Sequence, residues 1–298
     1  MTAKRPAGDG PHADDGLPAR PPHELVAMTP QPPAAEPPAD PAPWPEVDWV
    51  SPDTTIDLPP VTGWYAPLKP SLDFLLALSL LPVALPLIAV CYALVRLSSR
   101  GPGFYVQTRS GLGGRPYPII KLRTMGHNCE AKTGIQWSQK GDRRVTRLGK
   151  FLRASHLDEL PQIFNVLRGE MSLVGPRPER PEVIAAKGLA RQVPGYAHRL
   201  DVKPGVTGFA QIQLPPDSDL TSVRRKVAYD LYYIRHQSLL FDLRLIAATG
   251  IKTLGVTMPT LRRLFFLERR EVVGRHFRSL VPTPPPLADG SPARLQPV

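Results

Sequence analysis

Residues 142–179 carry the side chains with the clearest chemical potential, DRRVTRLGKFLRASHLDELPQIFNVLRGEMSLVGPRPE. One acidic pair, Asp158-Glu159, sits in a run that also holds Arg143, Arg144, Arg147, Lys150, Arg153, Arg168 and Arg177. That combination points to phosphate chemistry. The cations would hold a polyanion, and the carboxylates would bind a divalent metal or attack phosphorus. Pro161 fits only within the first turn of a helix. Leu160, Ile163, Phe164 and Leu167 continue that helix on one face, and Ser155 and Asp158 stand in an S-x-x-D capping relation. The pair is therefore expected at a helix N-terminus, where free N–H groups and the dipole favour anions. Taken alone, it reads equally well as ordinary first-turn charge.

Several flanking elements could position the pair. The segment GPGFYVQTRSGLGGRPYPIIKLRTM (101–125) reads as two short extended pieces joined by a tight Gly-rich connection. Lys121 and Arg123 alternate with apolar neighbours and could share one strand face, which makes them phosphate-facing candidates. Residues 144–153 read as an amphipathic helix, with Val145, Leu148, Phe151 and Leu152 opposite Arg144, Arg147, Lys150 and Arg153. Such a basic helix suits an anionic membrane surface. Arg177 lies between two prolines that limit its backbone freedom, and a planar guanidinium binds phosphate through paired bonds. Glu179 could orient it. The stretch VKPGVTGFAQIQ (202–213), with Gln211, reads as a turn and a β-like piece. Residues 223–254 read as helical, and 260–275 as a further basic amphipathic helix.

Residues 74–95 form an uncharged run between Asp73 and Arg96. As one helix they would measure about 33 Å, enough for a bilayer core. Pro82 and Pro86 near the middle are expected to kink or break it.

Together these motifs resemble the bacterial sugar transferases, monotopic phosphoglycosyl transferases acting on polyprenyl phosphate. The likeness runs from about residue 72 to 254 and keeps the order apolar segment, 101–125, HLDELPQIFNVLRGEMSLVGPRPE, VKPGVTGFAQIQ and DLYY. It implies transfer of a sugar-1-phosphate from a nucleoside diphosphate sugar, a UDP-sugar, to undecaprenyl or another polyprenyl phosphate. UMP would leave, and an exopolysaccharide or related glycan would be initiated. The resemblance assigns Asp158 as the nucleophile of a covalent phosphosugar–aspartyl enzyme and Glu159, with Asp158, as ligands of Mg²⁺. It makes Lys121, Arg123, Arg144, Arg147, Arg153, Arg177 and Gln211 candidates for phosphate or nucleotide binding. It further implies a membrane hairpin of helix, break and helix that re-enters one leaflet, with Pro86 at the break and Pro82 sharpening it. The position before Pro86, usually Ser, is Leu85. His156 replaces a usual Ser or Thr, and Phe209 a usual Trp.

The implied fold is α+β and mainly helical, a membrane-associated monotopic fold with amphipathic surface helices and a small β element. Residues 1–65 read as a disordered, acidic, proline-rich tail, 66–100 as the hairpin, 101–275 as the catalytic domain and 276–298 as a disordered tail. The chain has 298 residues and a net charge of +11. Residues 1–70 hold four Lys and Arg against ten Asp and Glu, so the remainder is far more basic than the average suggests. The catalytic part is expected on the cytoplasmic face of the bacterial inner membrane, among membrane lipids; a second copy of the chain is a further candidate partner. No nucleic-acid reader motif is present, and two cysteines make neither a disulfide framework nor a zinc site. An alternative is a membrane-anchored basic scaffold that binds anionic lipid without catalysis. It would need the cations but not the acidic pair.

Overall fold

The computed structural model describes residues 51, 54–127, 129 and 141–281. The expectations for residues 1–50 and for 282–298 lie outside the described residues. Inside them the chain is mostly helical, with two small sheets.

The apolar run lies in helix α1 (Tyr65–Ser98), which continues through Pro70, Pro82 and Pro86 as one 34-residue element. The expected division into two helices at Pro82 and Pro86 is absent from α1. Each proline removes a donor, so the carbonyls of Ala66, Leu78 and Pro82 lack their i+4 intrahelical partner. One face is buried, marked by Tyr65, Lys69, Asp73, Ala77, Ala84, Ile88, Cys91 and Val95 at helical spacing. The other face exposes Leu75, Leu78, Val83, Leu85, Val90 and Leu94. Among the described residues it is the one helix long and apolar enough to cross a membrane.

Strands β1 (Phe104–Ser110) and β2 (Pro116–Leu122) form an antiparallel hairpin, with Phe104 opposite Leu122. Its connection contains Gly113 and Gly114 at positive φ, where a side chain would be strained. Helix α2 (Arg147–Ala154) starts three residues later than the sequence pattern suggests. Thr146 caps it, accepting from the Gly149 amide, and Val145 instead bridges to Met125. Of its expected apolar face, Leu152 is fully buried but Phe151 is exposed. A 3-10 turn (Leu157–Gln162) then leads into α3 (Ile163–Leu167).

Strand β3 (Ser172–Val174) pairs in parallel with β4 (Gly205–Thr207), placing Ser172 opposite Gly205. Between them lie α4 (Pro181–Ala186), α5 (Leu189–Gln192) and a 3-10 turn (Tyr196–Leu200). The stretch 202–213, read as a turn and a β-like piece, contains β4 itself, but its second half is instead the short helix α6 (Phe209–Gln213). The C-terminal helices are α7 (Leu220–His236), α8 (Leu239–Lys252), α9 (Met258–Phe265) and α10 (Arg270–Leu280). Helix α10 extends past the tail boundary drawn at residue 275. The supposed tail also contributes Ile56, which is buried in the main core.

That core surrounds α7, whose Val227, Ala228, Tyr229, Leu231, Tyr233 and Ile234 are almost wholly buried. Phe209 meets the rings of Tyr229, Tyr232 and Phe241 within 5.7 Å. Stacked apolar and aromatic area of this kind supplies most of the favourable folding free energy. A second cluster joins Ala77, Ala84 and Ile88 of α1 to Tyr117, Ile119, Ile163 and Met171, and a third joins Cys91 and Val95 to Leu122 and Leu152. Helix α1 thus packs along its length on the rest of the fold.

Its first turns carry a buried polar network. The Asp242 carboxylate accepts from Tyr65 Oη at 2.5 Å, from Tyr233 Oη at 2.8 Å and from Lys69 Nζ. Asp73 accepts from Ser172 Oγ at 2.6 Å, and Tyr233 Oη lies 3.0 Å from the Val174 carbonyl. The single Tyr233 proton serves one of its two acceptors at a time. Removing one member of a buried pair leaves the other charge uncompensated. Asp242→Ala is therefore expected to lower stability by about 3–5 kcal/mol, measured by denaturant or heat on the nanodisc-held protein. Lys69 also lies 3.5 Å from buried Asp73, so Lys69→Met with Asp73→Asn and Asp242→Leu should lose clearly less than Asp242→Ala; an equal loss would show that stranded charge is not the cause.

Candidate active site

Asp158 and Glu159 sit in the first turn of the 3-10 segment, and His156 precedes it as N-cap with φ at 55°. A non-glycine residue in the left-handed region costs about 1–2 kcal/mol, so the turn presenting the pair is backbone-strained. The expected Ser155 cap does not form. The Ser155 hydroxyl turns back to the carbonyls of Phe151 and Leu152.

The two carboxylates have different surroundings. Glu159 Oε1 accepts from Lys121 Nζ at 2.7 Å and from Arg177 Nη2 at 3.0 Å. Burial alone would raise its pKa, but Arg177 and Lys121 outweigh it and hold the carboxyl well below the usual carboxylate range. Asp158 is 8% exposed. No hydrogen bond reaches its carboxylate among the described residues. Burial and then the Glu159 charge push it up to about 6, against the pull of Lys121, Arg153 and Arg177. Near neutral pH this gives one firmly anchored anion and one ionised, weakly held and comparatively basic one. Neighbouring titratable groups driven apart in this way commonly divide acid, base or nucleophile roles.

Each cation is delivered by a different element. Lys121 comes from β2, beside the turn. Arg177 follows β3, in the Pro176–Pro178 loop, and bridges Glu159 and Gln211, donating to Gln211 Oε1 from Nη1 at 3.1 Å. Its side chain remains 43% exposed, so a polyanion in solvent can reach it. The loop is held from behind. Arg199 donates to the Arg177 carbonyl at 3.0 Å and to buried Asp230 on α7 at 2.7 Å. Arg109 donates to the Pro178 carbonyl at 3.2 Å and lies 3.4 Å from Glu179. A Cβ on Gly205 would run into the Gly175 backbone, which explains why glycine sits where β4 crosses the loop.

The structure thus gathers Asp158, Glu159, Lys121, Arg177 and Gln211. Arg153 lies close by, bonded to Thr124 through Nε at 2.9 Å and acting electrostatically on Asp158. Other candidates lie elsewhere. Arg123 follows the last β2 residue, so strand alternation no longer sets its direction. Its guanidinium caps α1, donating to the carbonyls of Ser99 at 2.9 Å and Arg100. Arg144 precedes α2 and pairs with Asp142 at 2.6 Å, while Arg147 faces solvent. Glu179 orients Arg109 rather than hydrogen-bonding Arg177. Pro82 and Pro86 lie within α1. Arg199 was not anticipated, because PGYAHRL carries no periodic or capping signal for it. Lys252 was also missed: its ammonium donates to the Gln211 and Ile212 carbonyls from the end of α8.

Residues 64–255 match the family model described as bacterial sugar transferase. An Aeromonas hydrophila UDP-N-acetylgalactosamine-undecaprenyl-phosphate N-acetylgalactosaminephosphotransferase is 41% identical over 185 residues, covering 62% of this chain and 43% of that one. A Caulobacter vibrioides UDP-glucose:undecaprenyl-phosphate glucose-1-phosphate transferase is 42% identical over 183 residues, covering 61% and 67%. An exopolysaccharide production protein of Rhizobium leguminosarum is 36% identical over 190 residues, covering 63% and 95%. The chain spans well under half the length of some relatives it matches.

The raised Asp158 carboxyl has a measurable consequence. The folded protein holds this proton up to about pH 6, whereas the unfolded group releases it near 3.8. The cost of ionising it is full above pH 6 and is relieved as the pH falls toward 3.8. In metal-free buffer, Asp158→Asn is expected to raise the unfolding midpoint near pH 7.5 and to lose that advantage near pH 4. No gain near pH 7.5 would contradict burial as the cause.

Proposed function

The chain belongs to the bacterial sugar transferase family, and on that premise we propose that it transfers a sugar-1-phosphate from a UDP-sugar to undecaprenyl phosphate. The observation that carries this reading is the contrast within one dyad: Glu159 is fixed by two cations, while no hydrogen bond reaches the carboxylate of the adjacent Asp158 among the described residues and its pKa is raised. An Asp158 oxygen attacks the sugar-bearing phosphorus, and the bond to the leaving UMP breaks with its electron pair on UMP. A lipid-phosphate oxygen then attacks the same phosphorus and frees the carboxylate. Two displacements replace one difficult one. Arg177 can hold the diphosphate at its exposed guanidinium, positioned by Arg199 from behind and by Gln211 at its side. Lys121 keeps Glu159 ionised.

Mg²⁺ commonly uses one or two carboxylates and completes its shell with substrate phosphates and water. Among the described residues no group of three His, Cys, Asp or Glu could hold a metal alone. The unbonded Asp158 and the second oxygen of Glu159 therefore fit an ion that shares the substrate's phosphates, and such an ion would supply charge neutralisation there.

Seating on a membrane follows from exposed apolar faces. Helix α1 shows a broad one, and α8 shows a stripe of Leu240, Leu243, Ala247 and Gly250 at helical spacing, with Leu254 exposed just beyond its end. Both the first and last turns of α1 pack against the catalytic body. That arrangement keeps the unbroken α1 alongside the catalytic body at the membrane, and we place the site at the cytoplasmic face of the inner membrane. The relatives act on glucose or N-acetylgalactosamine donors at nearly equal identity, so the donor sugar has to be measured.

The test is UMP release by nanodisc-held protein with Mg²⁺, undecaprenyl phosphate and a panel of UDP-sugars. One sugar should give lipid-dependent UMP. Asp158→Asn should reduce that rate by roughly three orders of magnitude or more, and Arg177→Lys by about 10- to 100-fold because the second hydrogen-bonding arm is lost. Full activity of a folded Asp158→Asn protein would remove the nucleophile assignment. Anionic-lipid binding without turnover of any donor would favour the scaffold.

A further inference from the structure

The family match ends at residue 255, yet the chain continues into α9 and α10. These helices are firmly packed, with Leu261 and Val273 fully buried and Leu267, Phe277 and Leu280 nearly so. The turn between them faces the end of α6. Arg262 Nε donates to Gln213 Oε1 at 2.7 Å, and Gln213 Nε2 donates to the Glu268 carbonyl at 2.8 Å. These bonds use opposite ends of one amide. A flipped amide would set donor against donor and acceptor against acceptor, so the two partners fix its orientation. Arg262 also closes its own turn, because its carbonyl accepts from the Leu267 amide at 3.0 Å. Gln213 is 8% exposed, so loss of either bond would leave a buried polar atom without a partner.

Two residues earlier in the same short helix stands Gln211, whose Oε1 accepts from Arg177. Five residues are too few for α6 to hold its place by helix stability alone. Its position must come from outside contacts. Phe209 and Ile212 anchor it in the core, Lys252 holds the Gln211 and Ile212 carbonyls, and Arg262 of α9 together with the Glu268 carbonyl of the α9–α10 turn holds Gln213.

We propose that Arg262 and the Glu268 carbonyl, both beyond the family-matched segment, are positioning groups for the active site. They lock Gln213 and thereby set α6 so that Gln211 meets Arg177. The C-terminal hairpin is then part of the catalytic apparatus, although it touches no substrate. The kinetic side of this inference rests on the proposed transferase reading, and the structural side does not.

The test uses the full chain in nanodiscs, with Arg262→Met, Arg262→Lys, Gln213→Leu and the Arg262→Met/Gln213→Leu pair. Hydrogen exchange across residues 209–214 should quicken about tenfold in Arg262→Met and in Gln213→Leu, with the α7 amides unchanged. With the donor that supports turnover, kcat should fall about tenfold in Arg262→Met, with a smaller change in KM. Arg262→Lys should restore part of it, and the double variant should be no worse than either single one. Wild-type exchange across 209–214 in Arg262→Met, or losses that add in the double variant, would overturn the proposal. If Arg262→Met fails to fold, the exchange of Gln213→Leu decides by the same criterion. Absence of turnover with every donor would remove the transferase reading but leave the exchange result standing.

Discussion

One oxygen of Glu159, shared by Lys121 and Arg177, is the constraint around which the site is assembled. A carboxylate buried this far survives as an anion only if cations accompany it. The two cations must therefore come from elements that meet here, and they do: β2 brings Lys121, and the loop after β3 brings Arg177. With Glu159 satisfied, its neighbour Asp158 lacks a cation of its own and keeps a raised pKa. The asymmetry arises from position alone, since both residues are first-turn carboxylates of the same 3-10 segment.

The surrounding fold serves that meeting point through a second layer of buried polar contacts. Asp230 holds Arg199, which holds the carbonyl of Arg177. Asp242 gathers Tyr65, Lys69 and Tyr233, and Tyr233 and Ser172 both lie against Val174 near the end of β3. The strand that leads to Arg177 is thus tied to the base of the apolar helix α1. Hydrophobic packing around α7 supplies the bulk of the cohesion, while these charges specify register at considerable desolvation cost. The exposed apolar face of α1 and the Asp158–Glu159 site are joined through a few side chains rather than through a long lever.

Much of this was legible in the sequence, for identifiable reasons. The acidic pair and Arg177 stood out through charge and proline patterning and Lys121 through strand alternation, whereas Gln211 came only with the family resemblance. The readings that failed did so at element ends. Arg123 follows strand β2, where alternation stops, and Arg144 precedes the Thr146 cap, where helical phase has not begun. Pro82 and Pro86 suggested a break, yet α1 runs through both, with one face packed along the fold. Arg199 and Asp230 lie 31 residues apart, and such a pairing leaves no periodic trace. Residues 260–275 read as one amphipathic helix, but the structure breaks that stretch after Phe265 into α9 and α10, and the hold on Gln213 depends on tertiary placement alone.

The most direct test of the dyad asymmetry is intact-protein and peptide mass spectrometry after incubation with the UDP-sugar donor and Mg²⁺, without lipid phosphate. The account predicts one sugar-phosphate mass increment, located on Asp158 and lost when undecaprenyl phosphate is added. An increment on Glu159, or turnover with no adduct on either carboxylate under rapid quenching, would contradict it.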